Sequence, residues 1–386
     1  MKILFFNYEY PPLGGGAANA TFYILQEYAR ISGLEVDLVT SSIDEKYHLE
    51  KIGDNINIHR LPIGKNKTNL HFQSQKELII YSWKAYFFAW KLIRKNRYSL
   101  THSFFSVPCG FLSAVFKIQF GLPYIISLRG SDVPGYSDRF GLMYTILTPI
   151  IKFIWARADA VISNSDGLRD LALKVKSNQA IDIIYNGIDT QQFKPKSGEG
   201  DATIFKIICV SRLTKRKGID YLLTAISKIV MAGHERIILY LVGEGNTKGD
   251  LEKQSAELGI EDFVKFSGRI AHDDLPEIYN SADVFVLPSL NEGMSNTMLE
   301  ALASGLPLIA TDTGGTKELV KDGINGFVVK MEDSDDLAEK IMTVMNGSEL
   351  RKEMAAESRK MAEDLNWQSV AQKYFALYQK VSKNEK

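Results

Sequence analysis

MKILFFNYEYPPLGGGAANATFYILQEYARISGLEVDLVT, from Met1 to Thr40, decides the fold class. Lys2–Tyr8 is a short apolar run with the pattern of a buried strand. The Pro-Pro-Leu-Gly-Gly-Gly stretch that follows is turn-rich, and from Ala17 to about Ile31 the apolar residues recur at helical spacing. Glu35–Thr40 is a second strand. Strand, loop, helix, strand is the rhythm of a parallel sheet covered by helices.

The rhythm continues outward. Further strands begin at Ile56 (INIHRL), Tyr124 (YIISL) and Ala160 (AVISN), with helical stretches over 73–96, 139–157 and 165–174. Between 187 and 203 it breaks: GIDTQQFKPKSGEGDAT is rich in Gly, Lys, Asp and Pro and lacks apolar periodicity. That predicts a linker over 191–203. The alternation then restarts with FKIICVS, a helix from about Gly218, IILYLVG, a helix over 248–258, FVKFSG, DVFVLPS, a helix from about Asn296, LPLIAT and GFVV. The expected organisation is α/β: a doubly wound domain over 1–190, a second over 204–365, and a C-terminal helix over 366–386 packing back on the first. In open sheets of this kind ligands bind beyond the carboxyl ends of the strands, so the loops that follow strands are the informative ones.

Composition sets bounds on function. The chain has 386 residues, and its 45% hydrophobic and 24% charged residues exclude disorder and low-complexity scaffolds for the bulk of it. Lys+Arg and Asp+Glu are both 46, which argues against a whole-molecule electrostatic grip on nucleic acid. Residues 1–190 nevertheless hold 21 Lys/Arg against 16 Asp/Glu, and the remainder 25 against 30, so the halves differ in character. Cys109 and Cys209 form neither a disulfide framework nor a zinc-ligand spacing, and a reducing compartment is expected. The apolar start is too short for a signal peptide and reads as a first strand; Phe140–Trp155 is too short and too interrupted to span a bilayer. Expected localisation is cytoplasmic.

Three loops after strands carry chemistry. Gly14-Gly15-Gly16 either lets backbone approach an anion at a helix N-terminus or is simply a flexible turn; it is neither GxGxxG nor a P-loop. Ser211–Gly218 (SRLTKRKG) places four basic residues at the mouth of a sheet, suited to a phosphate or diphosphate, with a solvated basic turn as the alternative. In Leu287–Glu300 two carboxylates, Glu292 and Glu300, have seven residues between them, one in a Gly-containing loop and one inside a helix. Carboxylates so placed can accept hydrogen bonds from sugar hydroxyls; the alternative is two ordinary glutamates, common on helices, although the preceding strand, the internal Gly and the following ALASG make the context specific.

SRLTKRKGID, VGEG (Val242–Gly245), FSGRI and PSLNEGMSNTMLEALASGLPLIATDTGGTKELVKDGINGFVV resemble the signature series of GT-B glycosyltransferases of family 4 (glycosyltransferase group 1), and YEYPPLGGGAA is similar to that family's first loop. The resemblance implies a GT-B fold, two Rossmann-like domains facing across a cleft. It implies that Arg212 and Lys217 clamp a donor diphosphate, Glu300 holds the ribose and Glu292 contacts the donor sugar. Gly293, Met294 and Ser295 would offer N–H groups, Arg269 and Ile270 would hold the nucleobase, and Gly15 and Gly16 would face the diphosphate. Many family members carry a His-Gly-x-Asp sequence whose His reaches the donor sugar; here Arg129 stands in Ser127–Asp132 (SLRGSD), and an arginine cannot act as a base. Arg129 is expected to hydrogen-bond a sugar oxygen or phosphate, and Asp132 and His102, the latter after a strand, are candidate acceptor or sugar contacts unless structural.

The implied activity is a retaining transfer from a UDP- or GDP-sugar to a glycan or lipid-linked acceptor, in surface polysaccharide, lipopolysaccharide or glycolipid synthesis. It needs no cofactor and, with a cationic clamp in place, no metal. An inert nucleotide-sugar-binding protein and a GT-B epimerase are the alternatives; a NAD-dependent oxidoreductase lacks its GxGxxG. The segment 71–99 is helical, aromatic and basic, suited either to peripheral contact with the inner face of a membrane or to a core helix with solvated lysines.

Overall fold

The computed structural model describes residues 1–65, 70, 73–136, 141–196 and 203–383. It divides into two compact units: Met1–Asn186 with Trp367–Lys386, and Gly187–Asn366.

In the first unit the order is β1 (Lys2–Phe6), α1 (Gly16–Tyr28), β2 (Glu35–Ser41), β3 (His48–Ile52), β4 (Ile56–Leu61), α2 (Gln75–Lys95), β5 (Leu100–Phe104), α3 (Phe111–Phe120), β6 (Tyr124–Ser127), α4 (Gly141–Arg157), β7 (Ala160–Ser163), α5 (Asp166–Val175) and β8 (Asp182–Ile183). Among the described residues these strands form one sheet, ordered β3-β4-β2-β1-β5-β6-β7-β8 and parallel except for the β3–β4 pair. Ile3–Phe6 of β1 are fully buried, as a central strand covered on both faces requires. α2 begins at a capping box in which the Ser74 side chain and Glu77 satisfy each other's backbone N–H groups.

The second unit runs β9 (Phe205–Val210), α6 (Ile219–Met231), β10 (Ile237–Val242), α7 (Lys248–Glu257), β11 (Val264–Gly268), α8 (Leu275–Asn280), β12 (Val284–Leu287), α9 (Asn296–Ala303), β13 (Leu308–Thr311), α10 (Thr316–Leu319), β14 (Gly326–Val329), α11 (Ser334–Asn346) and α12 (Ser348–Asp364). Its sheet is parallel throughout, in the order β11-β10-β9-β12-β13-β14. That is the dinucleotide-fold order, and strand direction of travel reverses between β9 and β12.

The chain then returns to the first unit as α13 (Trp367–Lys383), which lies against α1. Trp367 stacks on Tyr23 at 5.3 Å, and Val370, Ala371, Tyr374, Tyr378 and Val381 join the first unit's core. Each large side chain so buried contributes about 1.5–3 kcal/mol.

The stretch expected as a linker is in part built into the second unit. Phe193 is fully buried, its ring 5.3 Å from that of His272 and 5.9 Å from that of Tyr279. Arg359 donates to the carbonyls of Thr190, Phe193 and Ala303, at 3.2, 3.0 and 2.8 Å. Residues 197–202 of that stretch and 384–386 of the C-terminal helix lie outside the described residues.

Candidate functional site

In the second unit the loops after β9, β10, β12 and β13 lock together at the carboxyl edge of the sheet. Ser211 and Leu213 donate their N–H groups to the carbonyls of Val242 and Glu244, both at 3.0 Å. A Cβ on Gly243 would stand 1.9 Å from the Ser211 carbonyl oxygen, and one on Gly245 1.9 Å from that of Leu213. VGEG is therefore a pair of close backbone approaches that hold Arg212 in place at the exposed rim. Lys215–Lys217 form a short turn closed by Gly218 in the left-handed region (φ +60°), whose added Cβ would meet the Pro288 carbonyl at 2.2 Å. Leu290 N–H bonds the Arg216 carbonyl at 2.8 Å, tying the β9 and β12 exits together at the point where the strand order reverses.

That tie brings Lys217 onto Glu292: its ammonium donates to Oε2 of the carboxylate, with side-chain exposures of only 10% and 15%. Gly315, after β13, backs this loop, since a Cβ there would lie 2.3 Å from the Gly293 carbonyl oxygen. Met294 and Ser295 are buried, and Ser295 precedes α9 with its hydroxyl 3.1 Å from that of Thr297. Glu300 lies inside α9, also buried. Tyr279 Oη donates to its Oε2 at 2.8 Å, and His272 Nε2 is 3.5 Å from its Oε1. The hydrogen bond with Glu300 raises the imidazole pKa of His272, and burial followed by the same carboxylate pushes the Tyr279 phenol well up. Arg269 is exposed and Ile270 half-buried, both just beyond β11. Tyr279 and His272 are partners that sequence spacing could not reveal.

In the first unit the corresponding reversal flanks β1, between β2 and β5. Asn7 holds the β1 exit: its Nδ2 donates to Thr21 Oγ1 at 2.8 Å and its Oδ1 accepts the Glu9 N–H at 3.0 Å. Gly14 (φ +95°) has no room for a side chain, because its Cβ would stand 2.6 Å from Glu9 Oε2. Gly15 and Gly16 are exposed where α1 begins, and the Gly15 N–H faces Glu9 Oε2 at 3.4 Å. Burial pushes the Glu9 carboxyl up to about 7, partly opposed by that N–H. Glu9 was not among the sequence candidates; its signal was its place in YEYPPLGGG, between strand and helix.

Three first-unit candidates need correction. His102 is inside β5, not beyond it, and fully buried. Its Nδ1 pairs with Tyr378 Oη at 2.6 Å and its Nε2 with Ser127 Oγ at 2.9 Å, while its ring stacks on Phe5 at 4.5 Å. Burial, then the Arg129 charge, drive its pKa well down, so it is a neutral core residue with no face for a sugar. Asp132 is buried and accepts from Ser106 N–H and Oγ and from the N–H groups of Arg129 and Gly130, at 2.8–3.1 Å. It ties the β5 and β6 exits together, and burial raises its pKa despite those donors. Arg129 is turned inward: its guanidinium lies 3.5 Å from the Phe104 ring centroid and donates to Asn186 Oδ1 at 2.8 Å and Tyr374 Oη at 3.3 Å. Burial lowers its pKa.

Of the segment 71–99, residues 71 and 72 lie outside the described residues; over α2 its aromatics divide between a buried face with Tyr81 and an exposed face with Trp83 and Phe87. Among the described residues, no helix is long and apolar enough to cross a membrane.

The β9 to β14 edge is matched by known proteins. The "Glycosyl transferases group 1" family profile matches residues 189–361, and the "Glycosyltransferase Family 4" profile residues 14–192. An uncharacterized glycosyltransferase of Methanocaldococcus jannaschii is 25% identical over 382 residues, covering 99% of both chains. Among solved structures, sucrose-phosphate synthase from Thermosynechococcus elongatus superposes with a TM-score of 0.84 at 23% identity, covering 98% of each chain. Anabaena HepE, solved in complex with UDP, superposes with a TM-score of 0.76 at 20% identity, covering 98% of this chain and all of its own. Two parallel-sheet Rossmann-like units, matched in succession by these two profiles, make the chain a GT-B glycosyltransferase of the group 1 and family 4 type.

Proposed function

We propose that the protein moves a sugar, with retention of anomeric configuration, from a UDP- or GDP-sugar to a glycan or lipid-linked acceptor in surface polysaccharide, lipopolysaccharide or glycolipid assembly. The observation that carries this reading is the Lys217–Glu292 ion pair at the reversal point of the second sheet, with Glu300 set inside the helix that follows. The solved complex of HepE with UDP supports a uridine donor.

In this reading Arg212 and Lys217 oppose the negative charge growing on the departing diphosphate, a fixed electrostatic stabilisation that needs no metal. Lys217 exchanges its bond to Glu292 for the diphosphate, and Glu292 is released to hold donor-sugar hydroxyls. Glu300, oriented by Tyr279 and His272, holds the ribose. Gly293, Met294 and Ser295 supply N–H groups, and Arg269 and Ile270 flank the base. The acceptor hydroxyl passes its proton to the leaving phosphate. The protein works in the cytoplasm without a cofactor and contacts the membrane peripherally through residues 71–99.

The test is release of nucleoside diphosphate from a panel of nucleotide sugars with candidate acceptors and a chelator present. Release that survives chelation and is lost in Arg212→Ala and Lys217→Ala supports the proposal. Binding without turnover across the panel favours an inert binding protein, and turnover abolished by the chelator removes the metal-free clamp.

A further inference from the structure

Three helices of the first unit share an outer surface of unusual chemistry. Building on the membrane contact proposed above, we infer that this whole surface, and not α2 alone, rests on an anionic lipid bilayer. Helices α2, α3 and α4 lie side by side. Tyr86 of α2 stacks on Phe116 of α3 at 5.5 Å, and Lys117 of α3 donates to the carbonyl of Arg157, the last residue of α4, at 3.0 Å.

Each helix already has a filled inner face. α2 buries Tyr81, Ala85 and Ala89, four residues apart, and α4 buries Ile151, Ile154 and Trp155. Each also carries a second apolar stripe that the core does not use. On α2 this is Ile79, Trp83 and Phe87, again four apart, the first two 70% and 68% exposed. On α3 it is Phe111 and Ile118, seven apart and on one face. On α4 it is Ile146, Ile150 and Phe153, at spacings of four and three, with Ile146 73% exposed. Isolated exposed apolar residues are ordinary, but aligned stripes on adjacent helices mark an interaction surface.

Charge selects the occupant. Among the described residues, no exposed side chain of these three helices is acidic. Glu77 is half-buried and held by the Ser74 N–H at 2.7 Å and the Lys65 ammonium at 3.4 Å. Lys76 stands three residues before Ile79 and Lys91 four after Phe87, extending the α2 stripe at both ends. Arg157 stands four after Phe153 with its guanidinium 4.3 Å from that ring. Long basic side chains at the ends of apolar stripes reach to lipid headgroups while their stems stay in the apolar layer. An anionic bilayer supplies negative headgroups and an apolar interior together, without needing a matched shape. A second copy would set these lysines against like charges.

The test uses the full chain and vesicles of phosphatidylcholine, with and without about a quarter phosphatidylglycerol. Co-sedimentation is expected with the anionic vesicles, falling as salt rises. Ile79→Ser with Trp83→Ser should weaken it by about tenfold or more. Lys76→Gln with Lys91→Gln should weaken it about twenty-five-fold on anionic vesicles, roughly fivefold per side chain, and leave neutral vesicles unaffected. All four substituted side chains are exposed, and unchanged thermal unfolding checks that the variants fold. The inference is overturned if the anionic vesicles are not bound, if the variants bind as the parent does, or if sedimentation shows a dimer that Ile79→Ser with Trp83→Ser dissolves without vesicle binding. Nucleoside diphosphate release from the nucleotide-sugar panel, with the candidate acceptors present and without vesicles, reads the donor site separately. It should be equal in all variants, and its absence from the parent would sink the transfer reading while leaving the vesicle result standing.

Discussion

Removing either member of the Lys217–Glu292 pair has a cost that the structure bounds. An exposed ion pair contributes about 0–1 kcal/mol, whereas orphaning one charge of a fully buried pair costs about 3–5 kcal/mol. With 10% and 15% of their side-chain surfaces exposed, these two groups lie between the limits, and about 2 kcal/mol is expected for Lys217→Ala. In a unit of this size that lowers the unfolding midpoint by about 4–8 °C. Glu292→Gln should cost a similar amount, because it leaves the ammonium unpaired. The double variant should be no less stable than either single one, since neither charge remains to be orphaned, giving a coupling of about 2 kcal/mol. Thermal unfolding of the four proteins without nucleotide measures it. Nucleoside diphosphate binding by calorimetry adds a second reading: Glu292→Gln should bind several-fold more tightly than the parent, because the ammonium no longer has to leave a carboxylate. Additive losses in the double variant, or weaker diphosphate binding by Glu292→Gln, would refute the coupling.

Gly243→Ala should displace the Arg212 loop, because its Cβ overlaps the Ser211 carbonyl oxygen at 1.9 Å and its φ of +139° disfavours a side chain. A loss of diphosphate affinity of about tenfold or more is expected, with Gly249→Ala, which meets nothing within 4 Å, neutral or slightly stabilising in the same calorimetric titration. The Glu9 carboxyl titrates at about 7 in the folded protein, above its ordinary 4.5, so the folded state keeps a proton that the unfolded chain has released across that window. Stability should therefore fall as pH rises from about 4.5 to 7, by about 2 kcal/mol after allowing for the side chain's partial solvent contact. Glu9→Gln should flatten the profile of unfolding midpoint against pH, and an unchanged slope would assign the titration to another group. Tyr279→Phe removes the 2.8 Å bond to Glu300 and should weaken nucleoside diphosphate binding about three- to tenfold; unaltered affinity would show that Glu300 needs no such support.

The second sheet was legible because each of its strands is a compact apolar run ending in glycine, proline or a polar turn. β3 was not, because His48–Ile52 is an exposed antiparallel edge with no alternation to read. The expected linker misled because one apolar residue, Phe193, sits in a polar run, and only tertiary packing shows it buried between His272 and Tyr279. His102 illustrates the limit most sharply: the phenol that occupies its Nδ1 is 276 residues away, beyond any periodicity argument. In the candidate site, motif order singled out Lys217, Glu292 and Glu300 as candidates. It could not show that the first two are paired to each other or that the third is held by a tyrosine and a histidine.

The return of α13 places the closing helix of the first unit after the whole of the second unit in the order of synthesis. Synthesis completes residues 187–366 before it supplies the helix whose Tyr378 satisfies both His102 and Tyr28, at 2.6 and 2.9 Å. The segment made second can thus reach its final form while the one made first still waits with a buried imidazole and phenol unpaired. A chain cut before Trp367 would lack the helix that covers this apolar seam and would present the seam to chaperones and proteases.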